Sequence, residues 1–270
     1  MDFLTSNGPV WFAGCGNMGG AILNRWLATG LDPARVAVID PAPPHLATVD
    51  WQAKAPRKGS PVLLVLGVKP QMFDSVAGDL AALVGKDTTV ISMLAGVELA
   101  SLRARFPEAG AIVRIMPNLA SALGMGVTAL FANDPSEVLV AALEGLMAPL
   151  GRTEWINEEI HFHAFTALGG SGPAFVYRFI AALAGAGTTL GLPEAQAMRV
   201  ATAMVEGAGA LAAASGQDPA ELARQVTSPG GTTAAGLDVL DGNGVLPSLI
   251  RDTLRAAAQR SAELADIAKR

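Results

Sequence analysis

The 270-residue chain has one cysteine, one tyrosine and three histidines, and only 16% of it is charged. A single cysteine excludes an internal disulfide. The histidines offer little for a metal ion or an acid–base dyad: His45 lies in a proline-rich loop, while His161 and His163, two apart in a helical stretch, point roughly 200° apart and cannot share an ion. Tyr177 has no lysine four residues on, and none stands anywhere between Asn157 and Gly244. The missing lysine argues against a Tyr-Lys hydride-transfer pair. Basic residues are not in excess either, since 19 Lys and Arg face 24 Asp and Glu, a net charge of −5, and they are scattered. That pattern argues against nucleic acid and anionic membrane as partners and leaves a small molecule. The longest strong apolar run, "VLLVLGV" at Val62–Val68, is far short of the ~20 residues a membrane helix needs. The opening "MDFLTSNGPVWFAG" lacks the basic and long apolar segments of a signal peptide, so the expected compartment is the cytoplasm.

What is present is short apolar runs alternating with helical patterns. "PVWFAG", "VAVID", "VLLVLGV", "TTVISML" and "AIVRIMP" read as strands, with a helix at Met18–Thr29 after the first, and the pattern predicts a doubly wound parallel α/β sheet. "GVTALFA" and "GRTEWI", flanking a helical Pro135–Leu146, complete the sheet edge. Beyond Asn157 apolar residues recur only at helical spacing, which sets a boundary near Ile156: residues 1–156 form a dinucleotide-binding domain and 157–270 an all-helical one. Asn157 reads as a helix cap, with Glu158 and Glu159 in the first turn and Leu168-Gly169-Gly170 closing that helix. Next come a helix carrying Phe175, Val176, Phe179, Ile180 and Leu183 and ending at Gly191, one opened by Pro193 and ended by Gly216, and a last one from Leu246 to about Ile267. Gly185, Gly187, Gly207 and Gly209 inside these helices imply close helix–helix approach, within the chain or between subunits.

Two segments carry chemistry. "GCGNMG", Gly14 to Gly19, joins the first strand to the first helix, where Gly14 allows the turn, Gly16 lets a pyrophosphate approach and Gly19 lets helix and strand close up. Cys15, Asn17 and Met18 complete that loop, and Asp40 ends the second strand where an acidic residue meets the ribose. The loops "GVKPQ", "SMLAGV" and "RIMPNLA" end further strands, and Val68, Lys69, Pro70, Ala95 and Asn118 are their candidate contacts to the nicotinamide half. Ordinary strand-to-helix turns, with Pro70 and Pro117 ending the strands, explain the same residues. The second segment, "TSPGGTTAAGLDVLD" at Thr227–Asp241, places two glycines and two hydroxyls at a helix start, which is a cap or a cradle. With so few acid–base groups the chemistry must need little proton transfer. Reduction of a C=N bond meets that condition, because an imine can arrive already protonated.

Together "GCGNMG", "GVKPQ", "MPN", "GGSGPAF" and "VTSPGGTTAAGLDVLD" resemble the pyrroline-5-carboxylate reductases, in order and over nearly the whole chain. The resemblance implies a Rossmann domain followed by a helical domain through which two subunits interlock, with dimers often assembling further. It implies reduction of L-pyrroline-5-carboxylate to L-proline by NADH or NADPH, at a site near "SPGGTT". There Ser228 and the amides around Gly230, Gly231 and Thr232 would hold the substrate carboxylate, and Thr233, the catalytic candidate, would hydrogen-bond the ring nitrogen. Asp40 favours NADH, since its charge repels a 2′-phosphate and "PAPPH" after it offers no cation; Arg57 is farther along. Two features depart from the family: the Asp40–Pro61 crossover looks short, and Phe175 stands where a tyrosine is common. A β-hydroxyacid dehydrogenase of the 6-phosphogluconate type shares the GxGxMG start and the helical second domain, but it needs a lysine on the first long helix of that domain. A nucleotide-binding regulator would bind the cofactor without turnover.

Overall fold

The computed structural model describes residues 3–43, 49–56 and 58–268, so His45 and Arg57 lie outside the described residues. The chain divides into two compact units, Met1–Ser171 with Ala256–Arg270, and Gly172–Arg255.

The first unit carries, among the described residues, an eight-stranded sheet: β1 (Val10–Ala13), β2 (Val36–Ile39), β3 (Asp50–Gln52), β4 (Leu63–Leu66), β5 (Thr89–Ser92), β6 (Ala111–Met116), β7 (Gly126–Phe131) and β8 (Gly151–Trp155). Their order is β3-β2-β1-β4-β5-β6-β7-β8, and every pair is parallel except β6 with β7. Parallel strands must be covered on both faces, which is why they read as unbroken apolar runs. Along β1 and β4, Trp11, Ala13, Leu64 and Leu66 face one layer, with Phe73, Ala77 and Leu80 of α2 (Phe73–Leu80) and Leu99 and Leu102 of α3 (Leu99–Arg105). Val10, Phe12, Leu63 and Val65 face the other layer, with Ile22, Leu23 and Trp26 of α1 (Asn17–Ala28) and Leu143 and Leu146 of α4 (Glu137–Met147). The outermost strand, β3, falls inside the crossover that the sequence left unassigned. It is three residues long and has no apolar run to betray it.

The last strand ends at Trp155, and all later elements are helical. The segment after Asn157 departs from expectation. It is a 3₁₀ turn at Glu159–His161, a short α5 (Phe162–Phe165) and a π-turn at Thr166–Gly170, preceded by Glu158 in the capping position with no side-chain bond. Asn157 does not cap it, and the Glu159 carboxylate leaves the helix to serve other partners. The helix α6 (Gly172–Thr189) then starts the second unit, followed by α7 (Glu194–Ser215), α8 (Pro219–Gln225), α9 (Thr232–Asp241) and α10 (Val245–Ala268). Gly216, in the left-handed region with φ 63°, stops α7. The buried centre of the second unit is small: Ala184, Ala197 and Ala201, with Ile180 and Leu183 against them. Of the helix glycines only Gly187 has neighbours within reach of an added Cβ, Ala197 at 3.4 Å and Leu192 at 3.5 Å. Gly185, Gly207 and Gly209 meet nothing within 4 Å, so the close approach expected of them does not occur among the described residues of the single chain.

The last part of α10 belongs to the first unit. Ser261 Oγ lies 3.0 Å from His163 Nδ1, and Ala265 is buried against Gly96. At Gly96, with φ +80°, a Cβ would come within 2.9 Å of the Ala265 backbone. None of the described helices is long and apolar enough to cross a membrane.

Candidate functional site

The β1–β2 and β1–β4 registers align Ala13 with Ile39 and with Leu66, so the chain leaves these strands along one edge of the sheet. This is the edge where ligands lie in open α/β sheets, and the order reverses at β1 and β4. The glycine loop crosses there. Gly14 has φ +87°, and a Cβ on it would meet Val68 N at 2.6 Å and Gly67 C at 2.7 Å, so the turn and the approach to the end of β4 both require glycine. A Cβ on Gly19 would stand 3.0 Å from the Gly14 carbonyl oxygen, which explains the third glycine. Gly16 differs, because a Cβ there would meet nothing within 4 Å. Open space in front of it is what an approaching pyrophosphate needs. Asn17 and Met18 open α1, whose capping residue Gly16 contributes no side-chain bond and whose first turn contains no acid. Its leading amides are thus free of side-chain partners, and the donor set fits the phosphates of a dinucleotide.

Asp40 is tied into that loop. Its Oδ2 accepts from the Cys15 amide at 2.8 Å and its Oδ1 from the Ala42 amide at 3.0 Å. The Cys15 thiol is pushed up to about 11, first by burial and then by the Asp40 charge, and stays protonated at neutral pH. It is no nucleophile.

The other strand ends hold the remaining cofactor candidates. Val68 and Ala95 are half-buried and Lys69 is exposed, with Pro70 opening a 3₁₀ turn behind it. Asn118 is buried and committed on both sides of its amide: Oδ1 accepts from Ala120 N at 3.2 Å, and Nδ2 donates to Gly169 O at 3.0 Å. It secures the turn after β6 to the π-turn. Sequence reasoning missed a neighbouring device, the buried Arg114 on β6. Arg114 donates to Glu159 Oε1 at 2.6 Å and lies 4.5 Å over the Phe162 ring, and the same carboxylate oxygen accepts the leading amide of α3, from Leu99, at 2.7 Å. One acid thereby neutralises a buried cation and caps a helix. A groove of about 690 Å³ opens beside Glu159 and Leu99, lined also by Thr88, Ala111, Asn133 and Leu139 among others; none of the cofactor or substrate candidates lines it.

The substrate candidates lie in the second unit. Gly230, at φ +69°, turns the chain in the left-handed region, and Gly231 caps α9, which begins at Thr232. The helix therefore starts one residue before Thr233. The Gly231 amide donates to Ser228 O at 3.0 Å, and a Cβ on Gly231 would stand 2.7 Å from Ser228 Oγ. Gly230 faces open space, Thr232 and Thr233 are exposed, and α9 has no side-chain cap and no acid in its first turn. The segment is a turn and also an open helix start fit for a carboxylate.

Residues 159–264 match the family model for pyrroline-5-carboxylate reductase dimerisation, and residues 9–96 that for NADP oxidoreductase, coenzyme F420-dependent. The pyrroline-5-carboxylate reductase of Pseudomonas aeruginosa is 34% identical over 267 residues, covering 95% of this chain and 97% of its own. The solved structure of a pyrroline-5-carboxylate reductase from Coxiella burnetii matches with a TM-score of 0.86 at 30% identity, over 96% of this chain and 99% of that one. The Plasmodium falciparum pyrroline carboxylate reductase, solved with NADP bound, shares the fold, with a TM-score of 0.82 at 23% identity over 96% and 98%.

Proposed function

This chain belongs to the pyrroline-5-carboxylate reductase family, and we propose on that footing that it reduces L-pyrroline-5-carboxylate to L-proline, the last step of proline biosynthesis. The observation that carries the reading is the pair of glycine-led helix starts, α1 and α9, each without a side-chain cap or an acid in its first turn. One suits the pyrophosphate of a dinucleotide and the other the carboxylate of a cyclic imino acid. NADH or NADPH, when bound, supplies the hydride that adds to the imine carbon, and the ring nitrogen keeps the proton it brought. Gly14 to Gly19 would hold the phosphates, and Val68, Lys69, Pro70, Ala95 and Asn118 would border the nicotinamide half. Asp40 would read the ribose and favour NADH.

At the substrate, Gly230 and Gly231 keep side chains away from the approaching carboxylate. Because the Gly231 amide is committed to Ser228, the amides of Thr232 and Thr233 do the binding. The Thr233 hydroxyl orients the ring nitrogen by a hydrogen bond, and no residue has to donate a proton in the step. Residues 1–156 act as the nucleotide domain. Residues 157–270, of which 157–171 and 256–270 belong to the first compact unit, act as the substrate and dimerisation region, through which two copies associate and from which larger assemblies can build. The enzyme works in the cytoplasm, a placement that cell fractionation checks.

The test is to mix purified protein, L-pyrroline-5-carboxylate and either cofactor and follow nicotinamide absorbance. Oxidation above the enzyme-free rate is expected; binding of the cofactor without turnover would leave a regulator instead. Thr233→Val should keep cofactor affinity and lower kcat/KM about tenfold to a hundredfold, the worth of one hydrogen bond to a charged group. An unchanged kcat/KM would remove Thr233 from the mechanism.

A further inference from the structure

Trp51, the middle residue of the edge strand β3, is 40% exposed, yet it is not a loose surface aromatic. Its indole N–H is shared between the Asp40 carbonyl at 3.0 Å and the Ala42 carbonyl at 3.1 Å. The ring is thereby fastened to the residues that follow β2. The same corner is stitched from three other directions: the Asp40 amide donates to Gln52 O at 3.1 Å, and its two carboxylate oxygens accept from Ala42 and Cys15. Asp40 is thus held through its main chain by β3 and through its side chain by the glycine loop.

This has a consequence for recognition. An ionised carboxylate offers about four acceptor positions, and the amides of Cys15 and Ala42 take two of them. Two remain on a partly exposed group, which is what a ribose diol requires. A carboxylate already fixed in place meets a diol at little ordering cost, and it cannot swing aside for a 2′-phosphate. We propose that Trp51 is the positioning residue for cofactor choice: by pinning the Asp40–Ala42 turn it keeps the Asp40 carboxylate where it reads the ribose and rejects a 2′-phosphate. This rests on the reading above, in which the glycine loop binds the dinucleotide and Asp40 faces its ribose.

Trp51→Phe keeps a smaller aromatic ring on the strand and removes the shared N–H. Calorimetric titration of the substrate-free protein with NADH and with NADPH, in the parent and in Trp51→Phe, measures the effect directly. Loss of the pin should weaken NADH about threefold to tenfold and leave NADPH unchanged or tighter, the scale of one hydrogen bond. The kcat at saturating NADH should stay the same, and an unchanged Tm confirms that the variant is folded. In an Asp40→Ser background the same substitution should no longer move the NADH to NADPH ratio, because Trp51 acts through Asp40. A parental ratio in Trp51→Phe, or a shift that persists in Asp40→Ser, overturns the role while leaving the reductase intact. A parent that binds neither cofactor overturns the proposed function along with it.

Discussion

Phe12 and Leu23 in the sheet unit are fully buried, whereas Leu211 in the helical unit is 60% exposed and Phe179 is 47% exposed. Both sets stand in clear periodic patterns, and both kinds of element are well formed. The difference is in what covers them. In the first unit both faces of the central strands are covered within the same chain, so alternation along β1 and β4 resolves into two closed cores. In the second unit three alanines are all that is fully enclosed, and Val176, Phe179, Met198, Met204 and Leu211 remain on the surface of the single chain. Periodicity therefore tells which face is apolar but not whose surface closes over it. A helical unit with so small an interior cannot hold its apolar area away from water alone, which is the physical case for association of two copies.

The strongest way to separate the units is to remove a large side chain from each and ask whether protein concentration matters. Trp26 on α1 is fully buried and touches the Phe12 ring, with centroids 5.7 Å apart. Trp26→Ala should lower the unfolding free energy by about 3–5 kcal/mol, as large-to-small changes in closed cores do. Followed by urea denaturation, that loss should be the same at low and high protein concentration. A loss that shrinks as concentration rises would mean that the sheet core is not closed within one chain.

The same contrast decides what could be read before the structure. The strands of the sheet core announced themselves because each is a run of β-branched and apolar residues, most of them bounded by Gly or Pro, and the glycine loop because backbone geometry admits few alternatives at Gly14. β3 did not, since Asp50-Trp51-Gln52 has no apolar alternation and is set by the pairing of its main chain with β2. The Arg114–Glu159 pair escaped because the partners lie far apart in sequence and each looks like a routine surface charge. Glu159 even suited a helix first turn, and tertiary contact took its carboxylate elsewhere. The end of α10 continues the stripe of its own helix, so nothing local marks that Ala256 onward belongs with the sheet unit. At the candidate site, residue types were legible and bonding was not. Asp40 was readable as an acid at a strand end, but its commitment to the Cys15 and Ala42 amides is a property of the folded corner.

On the helical side the corresponding change is Phe179→Ser, on a residue whose ring the single chain leaves half open. It should barely affect the internal packing of its unit and should weaken association about tenfold to a hundredfold, because both copies lose the side chain. Sedimentation across a dilution series would show the midpoint moving to higher concentration. A variant that associates as tightly as the parent would place Phe179 outside the interface and leave the exposed residues of α7 to cover it.

The least invasive test uses the one cysteine as a probe of the sheet unit at the glycine loop. With its pKa pushed up to about 11 by burial first and the Asp40 carboxylate second, Cys15 resists ionisation on both counts, since low polarity and a nearby negative charge each disfavour the thiolate. At pH 8 only about one thiol in a thousand would be ionised, against about one in four for a free cysteine. Alkylation by iodoacetamide should therefore run about two hundredfold slower than on a model thiol, and its rate should keep rising about tenfold per pH unit well past pH 9. Asp40→Asn removes the charge and leaves the burial, so it should move the profile down in pH without returning it to that of a free thiol. Labelling that already levels off near pH 8.5 would mean that the loop opens to water often enough for its thiol to behave as exposed. The sheet unit would then be closed in its core but not at the edge where the cofactor is expected.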